Sequence, residues 1–231
     1  MSAGSVRVAL VPPAPGSLPA ESCAVVIDVL RATTSLTVAR RNGAVAVVPF
    51  ASPAAALAFR AAHAGTLACG ERDGRIVPGF DMGNSPLEYT REQVAGRTLA
   101  FASTNGSRAL LAASRCRRRI LGCIASLEGT VSALAGERDV WIVCAGKLGR
   151  FALEDAVCAG AIVARLAAHG VRPANDSARL ALAIAPRDAA EAGALVRAAD
   201  HGRWLSQLGG TFASDVEFCA RAGALDSAAE C

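Results

Sequence analysis

Lysine is almost missing from this chain: Lys147 stands alone against 23 arginines in 231 residues. The bias reads as an arginine-rich coding background. It makes a single lysine inside a glycine-rich loop a candidate functional residue. Aromatic residues are scarce too, at 4%. The basic run Arg115-Cys-Arg-Arg-Arg119 therefore lacks a platform on which bases could stack, and it reads as a solvated turn before a strand, not a nucleic-acid surface. A net charge of +4 adds little to the case for a polyanionic partner. No apolar run reaches the length of a membrane span, and the first residues lack the charged-then-apolar pattern of a signal peptide. A cytoplasmic protein is expected. Histidine is rare, with three copies, and none of the eight cysteines forms a Cys-x-x-Cys pair, which argues against a structural zinc site. In a reducing compartment disulfides are not expected either, and most cysteines read as small core residues.

What is plentiful is small and apolar. Hydrophobic residues make up 52% of the chain, much of it alanine, enough for a sizeable core. Nearly continuous apolar runs at 6–11, 23–30, 44–50, 66–69, 98–103, 119–124 and 140–144 read as strands, several of them buried on both faces. Helical segments lie between them. One is capped by Ser52, with Pro53 in its first turn, and is closed by Gly65. Others span 105–114, 126–135 and 151–169. Residues 176–222 read as helical, with breaks at Pro186 and at Gly209-Gly210. The alternation predicts an α/β class: a layered α/β/α domain on a largely parallel or mixed sheet, with a helical C-terminal part. One domain spanning 1–231 is expected, and the helix-rich part from about 176 leaves a two-lobed arrangement open.

In such sheets ligands bind beyond the carboxyl ends of the strands, and four segments place polar residues there. In the first, Asp28 interrupts an apolar strand, where a charge is costly unless paired or metal-bound. Arg31 is its nearest candidate partner, and the hydroxyls of Thr33, Thr34 and Ser35 are expected to cap the next helix. The second is a long loop, 70–89, rich in turn residues. Phe80, Ile76, Leu87 and Tyr89 are available to anchor it. Its Glu71, Asp81 and Glu88 are oxygen ligands of the kind Mg²⁺ takes, Asn84 and Ser85 could contact a phosphate, and Arg72 and Arg75 could pair with an anion. The third is the Thr104-Asn105-Gly106 turn, a plausible anion cradle where a strand enters a helix. The fourth runs from Cys144 through Gly146, Lys147 and Arg150 to Glu154 and Asp155. Its Cys-x5-Arg spacing is that of a cysteine-phosphatase loop, in which a thiolate attacks phosphate. The histidine that should precede the cysteine is replaced by Val143.

Together these segments resemble the 2-phosphosulfolactate phosphatase family. The matching strings are Val25-Val-Ile-Asp28-Val-Leu-Arg31-Ala-Thr33-Thr34, Gly70-Glu71-Arg72 with Gly79-Phe80-Asp81-Met-Gly83-Asn84-Ser85-Pro86-Leu-Glu88-Tyr89, Thr104-Asn105-Gly106, and Cys144-Ala-Gly146 with Leu153-Glu154-Asp155. A fainter echo lies in His201-Gly202-Arg203 and Asp215-Val-Glu217. Ser103 and Ser107 stand where the family tends to have threonine.

The resemblance implies an α/β fold and a Mg²⁺-dependent phosphatase that cleaves (2R)-2-phospho-3-sulfolactate to 3-sulfolactate and phosphate, a step toward coenzyme M. The resemblance does not assign residue roles; from the residues themselves, Mg²⁺ is expected on some of Asp28, Glu71, Asp81 and Asp155. Catalysis is expected from Asp28, Asp155 or, in a rival thiolate mechanism, Cys144. Substrate contacts are expected from Arg31, Arg72, Asn84, Ser85, Thr104, Asn105, Gly106, Gly146, Lys147 and Arg150. The partner is a small phosphorylated sulfonate or carboxylate. Neither nucleic acid nor membrane is expected, and self-association is left open. The alternatives are a phosphatase of another small acidic phosphomonoester and, as a second class of function, a phosphometabolite-binding protein without turnover.

Overall fold

The computed structural model of the chain describes residues 4–231. Its first part alternates strand and helix: β1 (Ser5–Ala9), β2 (Cys23–Ile27), α1 (Ala32–Arg41), β3 (Ala46–Pro49), α2 (Pro53–Ala62), β4 (Thr66–Arg72), β5 (Arg75–Ile76), the short α3 (Arg91–Val94), β6 (Thr98–Ala102) and α4 (Gly106–Ala112). The alternation continues through β7 (Arg118–Gly122), α5 (Leu127–Ala133), β8 (Asp139–Cys144), α6 (Leu153–Ala168) and β9 (Arg172–Pro173). Helices α7 (Asp176–Ala183), α8 (Ala189–Ala198), α9 (Asp200–Gln207) and α10 (Thr211–Cys219) follow, before a final short β10 (Ala229–Glu230).

The layered α/β architecture is as expected, with the strands divided between two sheets, ordered β10-β7-β2-β8-β1-β9 and β3-β6-β4-β5. Pairing is parallel except for β10 against β7 and β5 against β4. The central strand shows why the layers form. Cys23, Val25 and Ile27 enter one apolar cluster with Ile142 of β8 and Ile162 of α6, while Ala24 and Val26 enter another with Leu36, Leu99 and Phe101. Side chains alternate along a strand, so a run that is apolar at every position must be covered on both sides. All five residues of β2 are buried. Helix α6 and the C-terminal helices cover one side, contributing Ala178, Val196, Leu205 and Val216 to that cluster. α1 and α4 fill the space between the two sheets. α2 closes the outer side of the second sheet, with Ala56 against Ala68 and Ala100.

The N-terminus of α2 is the one read from Ser52-Pro53: the Ser52 hydroxyl accepts the Ala55 amide at 3.3 Å. Two expectations change. α1 begins at Ala32, so Thr33, Thr34 and Ser35 lie inside its first turn and do not cap it. Their hydroxyls bond backward and sideways instead, Thr34 to the Val29 carbonyl at 2.9 Å and Ser35 to the Asn84 carbonyl at 2.8 Å. The stretch 70–89 is also less of a loop than expected, because β4 runs on to Arg72 and turns through Asp73-Gly74 into β5. Phe80 and Tyr89 anchor it, but Ile76 and Leu87 are exposed. Two-residue strands such as β5, β9 and β10 are too short to leave a periodic signal. Among the described residues no helix is long and apolar enough to cross a membrane.

Helix α6 meets α7 at Gly160, where a Cβ would lie 2.3 Å from the Ala181 carbonyl oxygen. Gly160→Val should therefore destabilise the fold by about 2–3 kcal/mol, a fall in Tm of roughly 4–12 °C. A thermal melt that matches the unsubstituted protein would refute the proposed close approach.

Candidate active site

A cavity of about 240 Å³ opens where carboxyl ends of strands from both sheets converge. The segment after β2 supplies Asp28 and Arg31, β4 supplies Glu71, the turn after β6 supplies Thr104 and Asn105, and the turn after β8 supplies Lys147. Asn84 joins them from the 70–89 segment. His201, Trp204 and Leu205 of α9 form a further wall.

Asp28 is positioned by its own strand end. The Asp28 amide donates to the Thr33 hydroxyl at 2.9 Å, and its Oδ1 accepts the Ala32 amide at 3.3 Å. A Cβ on Gly106 would lie 2.7 Å from Asp28 Oδ2 and 2.5 Å from the Ala32 Cβ. Only glycine lets the two strand-to-helix turns come this close. The expected cradle residue Gly106 is thus a spacer behind Asp28. Burial first, then the charges of Glu71 and Glu154, push the Asp28 carboxyl up to about 7.

Glu71 fastens two walls together. Its Oε1 accepts the Thr104 amide at 2.7 Å and its Oε2 the Gly74 amide at 2.8 Å. Arg31 is 4% exposed and pairs not with Asp28 but with the fully buried Asp215 of α10, at 2.5 Å. It also donates to the Gly74 carbonyl at 2.7 Å and lies over the Phe212 ring. Asp215 accepts the Ser85 hydroxyl at 2.5 Å as well, so Ser85 holds the loop in place and does not line the cavity. Asn84 differs: its Oδ1 is buried with no hydrogen-bond partner, and the residue lines the cavity.

Several sequence candidates fall outside. Asp155 accepts the Val29 and Gly146 amides, each at 2.9 Å, and so ties the turn after β2 to the turn after β8. Burial, then Glu154 and Asp28, push its carboxyl well up. Asp81 pairs with Arg60 of α2 and accepts the Ala68 amide. Arg72 donates to the Glu71 carbonyl. Neither side chain lines the cavity. Cys144 is 1% exposed and packs in the core beside Ile142 and Cys158. Burial and the charges of Asp155 and Glu154 push its thiol well above the usual range. A reactive thiolate needs the opposite surroundings, electropositive and partly exposed. The cysteine-phosphatase reading of the Cys-x5-Arg spacing is corrected accordingly. The segment is a tight turn, closed by the Lys147 amide on the Arg150 carbonyl at 2.8 Å, and Arg150 faces a neighbouring groove. Ser103 and Ser107 exchange hydrogen bonds, each hydroxyl accepting the other's amide at 2.8 and 3.1 Å. Threonine carries the same hydroxyl.

Three residues of the site, His201, Trp204 and Asp215, carried little or no local signal. His201 Nδ1 lies 3.0 Å from Glu154 Oε1, Lys147 Nζ stands 4.0 Å from the Trp204 ring centroid, and Asp215 completes the ion pair. His201 and Trp204 come from α9 and Asp215 from α10, helices that sequence spacing does not bring near Asp28. Burial pushes the Lys147 ammonium down, against the opposing pull of Glu154 and Asp200.

A family profile described as 2-phosphosulpholactate phosphatase matches residues 11–230. The chain belongs to this family. Relatives named probable 2-phosphosulfolactate phosphatase are similar along most of their length. The one from Symbiobacterium thermophilum is 41% identical over 209 residues, 87% of this chain and 88% of the relative. The one from Thermotoga petrophila is 39% identical over 196 residues, 85% and 83%. That from Deinococcus radiodurans is 39% identical over 202 residues, 86% and 82%.

In this member of the 2-phosphosulpholactate phosphatase family the cavity is short of positive charge. Asp28, Glu71 and Asp73 line it, Glu154 and Asp155 stand behind, and Arg31 is committed to Asp215. Among the described residues no three His, Cys, Asp or Glu side chains form a ready-made metal cluster. Asp28, Glu71 and the unpartnered Asn84 Oδ1 are the oxygen donors that a hard cation could take.

Two outcomes test this electrostatic picture. The Asp28 carboxyl rises from 3.8 to about 7 on folding. The folded state therefore holds this proton more tightly, and the associated stability is present below about pH 4 and lost as pH rises through 7. In metal-free protein Asp28→Asn should raise Tm at pH 8, and the gain should vanish near pH 4. A gain independent of pH would contradict it. Asp215→Ala strands Arg31 as a buried unpaired charge, and chemical denaturation should report a loss of about 3–5 kcal/mol.

Proposed function

We propose that the protein is a Mg²⁺-dependent phosphatase that hydrolyses (2R)-2-phospho-3-sulfolactate to 3-sulfolactate and phosphate. One observation carries the reading. A small cavity at the strand ends joins crowded carboxylates and an unpartnered amide oxygen to cationic and hydroxyl donors suited to a small polyanionic substrate. The relatives' names supply the substrate. A volume of about 240 Å³ suits a compact phosphorylated acid.

Asp28 and Glu71 would hold Mg²⁺, with Asn84 Oδ1 as a third donor. Mg²⁺ commonly takes one or two carboxylates and leaves its other positions to water and substrate phosphate. When bound, it neutralises charge on the phosphoryl group. The chain's own residues orient the substrate. Arg31 uses two of its nitrogens on Asp215 and Gly74 and keeps further N–H donors. The Thr104 hydroxyl and the Asn105 side chain stand beside it at the cavity wall. Lys147, held against Trp204, would take the sulfonate. Asp155, Gly146 and Gly106 act through backbone positions, keeping the strand-end turns in register. With Cys144 outside the cavity and Asp28 assigned to Mg²⁺ rather than to attack on phosphorus, water is the nucleophile in this reading.

Purified protein should release phosphate from (2R)-2-phospho-3-sulfolactate in the presence of Mg²⁺. EDTA should abolish release, and added Mg²⁺ should restore it. Cys144→Ala should keep most of the activity, whereas Asp28→Asn should lose at least about a hundredfold in kcat/KM, some 2.7 kcal/mol of transition-state stabilisation. Release that survives EDTA, or that disappears in Cys144→Ala protein that remains folded, would overturn this reading.

A further inference from the structure

We infer that His201 is the general acid of this reaction, oriented by Glu154. The inference rests on the phosphatase reading and adds to it the group that protonates the departing alcohol.

His201 is the second residue of α9, and its side chain lines both the cavity and the adjoining groove. It is 12% exposed, and Glu154 behind it is 3% exposed. The Glu154 carboxylate is an acceptor at 3.0 Å from Nδ1, so Nδ1 carries the proton and the tautomer is set. Nε2 takes no hydrogen bond from the described residues and is the ring nitrogen left for a ligand. A buried carboxylate behind an imidazole fixes the ring's orientation, and the acid form is the imidazolium, which carries a proton on each nitrogen. The other charged groups around the ring are Asp200 and Arg203 on the same helix, paired with each other at 2.5 Å, and Lys147 on the turn after β8, drawn to the same Trp204 that lies 5.7 Å from His201. Glu154 is the carboxylate in direct contact, and the pair has no other role in the site as described.

The chemistry requires such a group. The leaving group of a 2-phospho acid is a secondary alkoxide, which departs poorly unless protonated as the bond breaks. Water oxygen bonds to phosphorus. The bond from phosphorus to the bridging oxygen breaks, and its electron pair goes to that oxygen, which takes the Nε2 proton and leaves as the alcohol. The attacking water gives up its proton through the phosphate to solvent, and solvent reprotonates the imidazole.

The test measures kcat, its pH profile and the bridging-oxygen ¹⁸O isotope effect with (2R)-2-phospho-3-sulfolactate and Mg²⁺, in wild type, His201→Asn and Glu154→Gln. In wild type the isotope effect should be small, because the alcohol leaves protonated. His201→Asn should lower kcat by roughly 10²–10⁴-fold with KM little changed, remove the basic limb of the profile and enlarge the isotope effect. Glu154→Gln should lose less than His201→Asn, because the imidazole keeps its place but loses the carboxylate that orients it. A large isotope effect in wild type overturns the proposal whatever the variants do. So does a His201→Asn enzyme whose kcat is unchanged, or whose loss leaves limb and isotope effect intact. If wild type releases no phosphate at all, the phosphatase reading itself fails, an outcome distinct from the others.

Discussion

The buried ion pair between Arg31 and Asp215 holds the walls of the site together. Arg31 follows the central strand of the first sheet, and Asp215 belongs to the last long helix, 184 residues away. The same pair gathers the Gly74 carbonyl from the β4–β5 turn and the Ser85 hydroxyl from the segment beyond it. Two ions taken from water at this depth cost several kcal/mol each, which their attraction repays only with good geometry and further hydrogen bonds. Here each partner has a further hydrogen bond. The reward is positional: three segments distant in sequence are brought to one cavity.

Two carboxylates extend that arrangement by accepting backbone amides. Glu71 joins the turns after β4 and β6, and Asp155 joins the turns after β2 and β8. Both sheets thus present their strand ends to one space, with Gly106 allowing the contact between them. The negative charge that does this structural work also burdens the site. Asp28 stands within the field of Glu71 and Glu154, and its raised pKa records the crowding. A fold that concentrates carboxylates near one unpartnered acceptor, Asn84 Oδ1, suits a cation and a phosphate arriving together.

The sequence made much of this legible. Apolar runs marked the longer strands, Ser52-Pro53 marked the start of α2, and polar residues at strand ends pointed to Asp28, Glu71, Asn84, Thr104 and Lys147, all of which line the cavity. It misled where a side chain's use depends on a distant neighbour. Asp81 and Glu71 look alike in the 70–89 segment, but Arg60 on α2 takes Asp81. Cys144 and Arg150 have a suggestive spacing, yet the strand carries the cysteine into the core. His201 and Asp215 have little local pattern because their partners, Glu154 and Arg31, lie on other elements.

By itself, then, the sequence determined the alternation of elements, the segments from which a site is built and the family to which the chain belongs, since these follow from short-range periodicity and contiguous motifs. Tertiary structure alone decided which carboxylates face the cavity, which serve as clamps and which histidine stands beside them. Burial, ion pairing and amide acceptance are set by neighbours that the chain brings together only when both sheets close around their shared core.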